Sequence, residues 1–314
     1  MTNRMHAVSQ RSFGGPEVLE LVETDRPEPG PGEVLVRVRA AGVNPADWKI
    51  RSGDVRRFGE PPFTLGLDLS GVVEAVGAEV TRFRTGDLVF GNAFPPHGAY
   101  AQYAVTSEKW LAAVPRGMDH VHAAAIPTVG LTAWQPLTRV ASLSAGQRVL
   151  VHGAAGGIGH LAVQIAKARG AYVIGTARAG KHAFLRDLGA DEVIDYTRVD
   201  FSEAVRNVDV VLDPIAGDYG PRSLDVLAPG GTLIDVRGTG PDRSTVREQA
   251  EARGLRFVEF GFTPSGTDLA SIAELAEDGV LRASVEKVLP LREAGEAHRL
   301  SEAGRVKGKI VLAV

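Results

Sequence analysis

The sequence of 314 residues contains no cysteine, which excludes disulfide bonds and any metal site built from thiolates. It also lacks an apolar run long enough to span a bilayer, and its start, Met-Thr-Asn-Arg-Met-His, has no signal-peptide core. We therefore expect a cytoplasmic protein that does not enter a membrane.

Charge of one sign is not concentrated anywhere. The formal net charge is −3 and no long block of Lys and Arg compensates for it, so we expect no nucleic-acid partner. Neither a Gly-x-Ser-x-Gly nor a His-Glu-x-x-His pattern occurs, which leaves hydrolase and metalloprotease chemistry without support. The composition, 44% hydrophobic and 23% charged, is that of a globular protein, and the length predicts two domains.

What the sequence does contain is a glycine-rich turn directly after a short apolar run. Val149–Val151 lead into His-Gly-Ala-Ala-Gly-Gly-Ile-Gly, residues 152–159, and an Ala-rich helical pattern follows. A buried strand that ends at a helix N-terminus presents N–H groups and the positive dipole end to a pyrophosphate. Gly156 would allow close approach of the phosphates, and Gly159 close packing of helix on strand. Taken alone, such a turn can also be a mere connection. The expected cofactor contacts here are Ala155, Gly156, Gly157, Ile158 and Gly159.

The end of the next predicted strand indicates which dinucleotide binds. An acidic residue about 20 positions beyond the glycines is typical of NAD sites, but this chain has Thr176, Ala177 and Arg178 there, with Lys181 soon after. Cations at this place favour a 2′-phosphate, so NADP (NADPH) is the expected cofactor, with Thr176, Arg178 and Lys181 as contacts. The alternative is a solvated Arg and Lys at a helix start.

The predicted elements change character near residue 120. Before it, short β-type runs separated by Gly and Pro predict a small antiparallel barrel. From residue 148 onward, strands and helices alternate, which is typical of βαβ units in a doubly wound parallel sheet. The fold class is therefore α/β with a separate β-rich part, and we expect the strand-like end of the chain to return to that part.

Further motifs are spread over nearly the whole chain. They are Ala41–Gly53 (AGVNPADWKIRSG), Leu65–Gly77 (LGLDLSGVVEAVG), Gly98–Tyr103 (GAYAQY), Gly130–Trp134 (GLTAW) and Gly308–Leu312 (GKIVL). Together with the glycine-rich turn, the chain resembles the zinc-free, zeta-crystallin-like quinone oxidoreductase branch of the medium-chain dehydrogenase/reductase superfamily.

The resemblance implies a domain organisation. Residues 1–125 and 263–314 would form a GroES-like catalytic domain, and residues 126–262 an inserted Rossmann NADP-binding domain, with the reaction in the cleft between them and a homodimer as the assembly. It also implies that Thr132 lies beside the nicotinamide and Tyr196 near the adenosine phosphate. Ile215 and Val236 lie in turns after two predicted strands, at the sheet edge where ligands bind in such folds.

Departures from the zinc-dependent relatives bear on the chemistry. Asn44 stands where those enzymes have Cys, and Gly66-Leu67-Asp68 where they have Gly-His-Glu. The ligands of a catalytic zinc are therefore missing, and we expect no metal, which makes oxidation of a simple alcohol unfavourable. Reduction of a quinone or an enone spreads the charge over an enolate, which a few hydrogen-bond donors can stabilise.

The candidate donors lie between residues 44 and 49. Lys49 could donate to the carbonyl oxygen or deliver a proton, and Asn44 could position nicotinamide or substrate; the alternatives are a solvated Lys and a helix-starting Asn. We thus predict an NADPH-dependent, zinc-independent reductase of a small-molecule quinone or α,β-unsaturated carbonyl. A carbonyl reductase of a biosynthetic pathway and a non-catalytic NADPH-binding structural or RNA-interacting protein remain alternatives.

Overall fold

The computed structural model describes residues 4–240 and 242–314. The strands are β1 (Arg4–Gln10), β2 (Glu20–Asp25), β3 (Glu33–Val43), β4 (Phe63–Thr64), β5 (Asp68–Val76), β6 (Leu88–Asn92), β7 (Tyr103–Ser107), β8 (Leu111–Ala113), β9 (Arg148–Val151), β10 (Tyr172–Thr176), β11 (Glu192–Ile194), β12 (Val208–Asp213), β13 (Leu227–Asp235), β14 (Arg256–Glu259), β15 (Val285–Pro290) and β16 (Lys309–Ala313).

The α-helices alternate with these strands mainly in the middle of the chain. They are α1 (Pro45–Ser52), α2 (His120–Ala124), α3 (Pro127–Gln135), α4 (Gly157–Ala168), α5 (His182–Asp187), α6 (Phe201–Ala204), α7 (Tyr219–Val226), α8 (Ser244–Ala252), α9 (Gly266–Glu277) and α10 (Ala294–Glu302). Within the described ranges, no helix is both long and apolar enough to cross a membrane.

Contacts divide the described chain into two units, residues 4–131 together with 264–314, and residues 132–263. The second unit contains a parallel sheet in the order β11-β10-β9-β12-β13-β14. Counted from β9, this is the order 3-2-1-4-5-6 of dinucleotide-binding sheets. The predicted doubly wound Rossmann sheet is therefore confirmed.

The central strand of this sheet is apolar along its length because both of its faces are covered. Val149, Leu150 and Val151 of β9 are fully buried, as expected for a parallel strand between two layers of helices. The strand order reverses between β9 and β12, and the carboxyl ends of these neighbouring strands bound the crevice in which such folds bind ligands.

The first unit is β-rich and largely antiparallel, as predicted. One sheet has the order β15-β16-β3-β5-β6-β8, with β7 also paired to β3, and another has the order β2-β1-β4. Among the described strands of this unit, β15 runs parallel to β16.

The last strand of the chain lies inside this sheet. β16 pairs with β3 so that Ile310 lies opposite Val43 and Leu312 opposite Ala41. All four side chains are buried in the core of the unit. Because β3 ends at Val43 and α1 follows at once, this register places the start of α1 beside the start of β16, where Lys309 lies.

Candidate functional site

The glycine-rich turn at the end of β9 has the geometry of a phosphate site. Gly153 has a positive φ of 55°, and the Gly156 N–H donates to the Gly153 carbonyl at 2.9 Å. The helix α4 starts after Gly156 with no side-chain cap among the described residues and no acidic side chain in its first turn. The N–H groups and the dipole of this helix end therefore suit the binding of an anion.

Two glycines of the turn serve different purposes. A Cβ on Gly159 would lie 2.5 Å from both the Ala154 Cα and the Gly153 carbonyl oxygen, so α4 packs directly on the turn only because residue 159 has no side chain. A Cβ on Gly156 would meet only the Gly153 carbonyl oxygen, at 3.2 Å. The distances at Gly159 agree with its predicted role in close packing of the helix, and the predicted approach of the phosphates to Gly156 stays a prediction.

We predict that Gly159→Ala separates α4 from the turn, lowers the free energy of unfolding by about 1–3 kcal/mol and weakens dinucleotide binding. Gly261→Ala is the matched control, since a Cβ at Gly261 has nothing within 4 Å. Urea unfolding and calorimetric titration with NADPH measure both effects. If the Gly159 variant unfolds and binds like the control, the packing argument is wrong.

Side chains beneath the turn hold it in place. The Thr176 hydroxyl accepts from the Gly153 N–H at 3.2 Å and lies 3.3 Å from Nδ1 of His152. Nε2 of His152 lies 3.0 Å from the Ser223 hydroxyl. Both Thr176 and His152 are fully buried, so Thr176 supports the turn from the sheet side, and its predicted contact with a cofactor stays a prediction.

His152 is a packed core residue. Its ring makes edge-on contacts with Phe201 and Tyr219, at centroid distances of 4.5 and 4.9 Å. Burial, and to a smaller extent the charge of Arg222, lowers the pKa of His152 to about 3. The imidazole is therefore neutral near pH 7 and orients Thr176 instead of exchanging protons with a ligand.

This burial makes stability depend on pH. Between the folded pKa of about 3 and the ordinary value of 6.5, the unfolded chain binds a proton at His152 that the folded chain does not. The contribution of neutral, buried His152 to the free energy of unfolding is thus fully present above pH 6.5. It is lost as the pH falls toward 3, by up to about 1.4 kcal/mol per pH unit. We predict that His152→Asn reduces this slope by one proton in urea unfolding, with exposed His97→Asn as the control. An unchanged slope would contradict the assignment.

The end of β10 brings two of the predicted cofactor residues together. Nε of Arg178 donates to the Tyr196 hydroxyl at 3.2 Å, and both side chains are exposed. Lys181 follows in a short 3₁₀ turn, Ala179–Lys181, and is half-buried. The N–H of Ala179 donates to Asp195 at 3.2 Å and fixes the turn against the end of β11.

The turn after β12 lies against the glycine-rich turn. Its Ile215 is 40% exposed, and the Ile215 Cδ1 lies 3.2 Å from the position that a Cβ on Gly153 would occupy. Asp213 holds this turn, because its Oδ1 accepts from the N–H groups of Ile215 and Ala216 at 2.8 and 3.0 Å. Burial raises the pKa of Asp213 to about 6.

The turn after β13 is hydrogen-bonded to the turn after β12. The Val236 N–H donates to the Asp213 carbonyl at 2.9 Å, and Nη1 of Arg237 donates to the Ile215 carbonyl at 2.9 Å. Val236 itself is buried. Of the two predicted positions, Ile215 therefore lies at the surface beside the glycine-rich turn, whereas Val236 lies below that surface. Thr132 lies in α3 and is buried.

A second polar cluster surrounds Asn44 in the first unit. Asn44 is the N-cap of α1, and its N–H donates to Asp47 at 2.8 Å. Its Nδ2 donates to Oδ2 of Asp68 at 2.9 Å, and its Oδ1 accepts from Nζ of Lys309 at 2.5 Å. Lys49, further along the same helix, is half-buried, and its Nζ lies 5.7 Å from the centre of the Trp48 ring.

Asp68 is the most heavily bonded side chain of this cluster. Its Oδ1 accepts from the N–H and the hydroxyl of Thr128, at 2.9 and 2.6 Å, and from Nδ2 of Asn92 at 3.1 Å. Burial raises the pKa of Asp68, and the ammonium of Lys309, 3.7 Å away, is the largest opposing influence. The hydrogen bonds from Thr128 and Asn44 also oppose this rise in pKa, because they stabilise the ionised form.

The cluster does not fit a zinc ion. Zinc sites in proteins use Cys, His and carboxylate ligands, whereas Asn44, Leu67 and Asp68 offer one carboxylate whose oxygens are already bonded, with an ammonium beside it. Across residues 4–240 and 242–314, no group of three or more His, Asp or Glu side chains is placed to hold a metal.

A chain of hydrogen bonds leads from this cluster toward α10. Nη1 of Arg51 donates to Nδ1 of His298 at 3.2 Å, so Nε2 of His298 carries the proton and donates to the Tyr100 hydroxyl at 3.1 Å. Tyr100 in turn bonds to Asp47. Burial, and then the charge of Asp68, raises the pKa of Asp47 to about 7. Neither His298 nor Lys309 was predicted from the sequence as part of a site.

Comparisons with known proteins cover nearly the whole chain. Two family models match: "Alcohol dehydrogenase GroES-like domain" over residues 30–116 and "Zinc-binding dehydrogenase" over residues 188–312. The chain is 35% identical to a quinone oxidoreductase of Lama guanicoe, over 98% of this chain and 97% of the relative. It is 37% identical to one of Pseudomonas aeruginosa, over 96% and 97%.

Two solved structures are similar over their full length. The quinone oxidoreductase of Coxiella burnetii superposes with a TM-score of 0.93 at 37% identity and 99% coverage of both chains. A mycobacterial protein solved in complex with NADPH superposes with a TM-score of 0.90 at 33% identity, over 99% of this chain and all of that one.

Proposed function

Because this chain belongs to the medium-chain dehydrogenase/reductase superfamily and is similar throughout to quinone oxidoreductases, we propose that it uses NADPH to reduce a quinone or an α,β-unsaturated carbonyl without zinc. That it is an oxidoreductase follows from the family. The choice of NADPH, the enone as an acceptor and the absence of a metal from the reaction are our proposals. The observation that carries the choice of NADPH is the exposed Arg178–Tyr196 pair in the same unit as the glycine-rich turn.

The residues of the second unit fit NADPH. The N-terminus of α4 offers N–H groups and a positive dipole end to the pyrophosphate. Arg178 offers a fixed positive charge, and Tyr196 and Lys181 offer further donors, for a 2′-phosphate. Ile215 offers an exposed apolar surface beside the turn. When bound, NADPH supplies the hydride.

The acceptor needs a hydrogen-bond donor at its carbonyl oxygen. Addition of hydride to the β-carbon of an enone leaves a negative charge shared by that oxygen and the α-carbon, and a proton then completes the saturated ketone. A quinone likewise gains one hydride and one proton to become a hydroquinone. The half-buried ammonium of Lys49 is our candidate donor, because such a group stabilises the charge and can deliver the proton.

The cluster around Asn44 supports a reaction without zinc. Asn44 and Asp68 occupy two of the positions at which zinc-dependent relatives have ligands, and here both are bonded to protein donors. The cationic side chain of this cluster is Lys309, whose Nζ donates to the Val43 carbonyl and to Oδ1 of Asn44.

We predict that Arg178→Glu weakens NADPH binding about 10- to 100-fold, the range for loss of a charge-assisted hydrogen bond to phosphate. Binding of NADH, which has no 2′-phosphate, should change less. Calorimetric titration with each dinucleotide measures the ratio, and Arg186→Glu, an exposed substitution of the same charge on α5, is the control. Equal losses for the two dinucleotides would contradict the assignment of NADPH.

For Lys49→Met we predict a fall in kcat of about a hundredfold, as for loss of a general acid, with an unchanged Kd for NADPH. The assay follows nicotinamide absorbance with a panel of quinones, enones and ketones, and exposed Lys109→Met is the control. An unchanged kcat removes Lys49 from the reaction. If the wild-type protein binds NADPH but turns over no member of the panel, the non-catalytic alternative is favoured over our proposal.

A further inference from the structure

Lys309 is a lysine that the fold buries almost completely, with 2% of its surface exposed. Its Nζ donates to the Val43 carbonyl at 2.6 Å and to Oδ1 of Asn44 at 2.5 Å, and it lies 3.7 Å from Oδ2 of Asp68. Removing an ammonium from water costs several kcal/mol, which these contacts have to offset. Two well-packed apolar side chains in place of Lys309 and Asp68 would avoid this cost, so stability alone does not account for the pair.

The contacts with Lys309 and Asp68 determine the orientation of the Asn44 amide. An ammonium can only donate, so the amide atom facing Lys309 has to be the oxygen. The carboxylate of Asp68 can only accept, so the atom facing it has to be Nδ2, at 2.9 Å. The two charged neighbours therefore impose one orientation on the amide, and the reversed orientation would place a donor against a donor and an acceptor against an acceptor.

The Asp68 carboxylate is itself held in place by other hydrogen bonds. Its Oδ1 also accepts hydrogen bonds from the N–H and hydroxyl of Thr128, in α3, and from Nδ2 of Asn92, in β6. These bonds fix the position of the carboxylate. Lys309 reaches the oxygen of Asn44 from the start of β16. Loss of the ammonium would leave the Asp68 charge uncompensated and would remove a donor to the oxygen of Asn44.

We propose that Lys309 is a positioning residue for the reaction, which fixes the Asn44 amide with its oxygen toward β16 and its nitrogen toward Asp68. In this orientation Asn44 presents one fixed set of donor and acceptor atoms at the start of α1. The inference rests on the proposed function, because the orientation matters to turnover only if nicotinamide or substrate lies at this helix start.

The first test compares Lys309→Gln with Lys309→Met. Both variants leave the charge of Asp68 uncompensated, but Gln keeps N–H donors for the Asn44 oxygen on a side chain one bond shorter than lysine. We expect similar losses of thermal stability and a kcat about tenfold lower for the Met variant than for the Gln variant, with the same Kd for NADPH in both. Lys287→Met, an exposed substitution on the neighbouring strand β15, is the control. Equal kcat values for the Gln and Met variants would overturn the proposal.

The second test is the pair Asp68→Asn with Lys309→Met in one chain. This double variant lacks the charges of both Asp68 and Lys309, so we expect it to fold even if the single variants do not. Asn at position 68 would face Asn44 with its NH2 group and turn the Asn44 amide over. We expect stability close to that of the wild type, an unchanged Kd for NADPH and a kcat that stays at least tenfold low. If kcat recovers together with stability, Lys309 serves only to offset the charge of Asp68, and the proposal is overturned. If the wild type itself reduces no acceptor, the proposed function has failed, and not this inference alone.

Discussion

The buried carboxylate of Asp68 is the interaction on which the first unit of this protein depends. Four hydrogen bonds reach its two oxygens from Asn44, Asn92 and Thr128, and the ammonium of Lys309 lies beside it. Loss of one of these partners would leave a buried charge uncompensated, which costs several kcal/mol. The folded chain therefore keeps each of these neighbours in one position. The start of α1, the start of α3, the end of β6 and the start of β16 are fixed to one another in this way. The cluster is incomplete until the last strand of the chain has paired with β3.

The glycine-rich turn of the second unit is built on a different principle. Its surface is main chain, shaped by Gly153, Gly156 and Gly159, and its charge is the dipole end of α4. The side chains that matter lie beneath it, where His152 and Thr176 hold the turn against β10. A turn whose surface consists of N–H groups tolerates little added side-chain volume, but it needs no ionised side chain. The cluster around Asp68, in contrast, is stable only while its acidic and basic groups offset each other.

The sequence was sufficient to predict the parts that are local. The glycine-rich turn, the alternating strands and helices, and the cation at Arg178 follow from residues close together in the chain, and the structure confirms the Rossmann sheet that they indicate. It was not sufficient for Lys309, Tyr100 and His298, because their partners lie far away in sequence and depend on the pairing of β16 with β3 and the packing of α10. Thr176 shows the intermediate case: its place at the strand end was predictable, but only the packing shows that its hydroxyl faces Gly153 and His152 from below.

The central claim is that hydride passes from NADPH directly to an electron-poor carbon or quinone. Reduction of an enone with NADPH that carries deuterium at both C4 positions tests it most directly. The account predicts slower oxidation of the labelled NADPH and a product with one deuterium on its β-carbon and none on its α-carbon. A product without deuterium at the β-carbon, or NADPH that binds and is never oxidised by any enone or quinone, would contradict it.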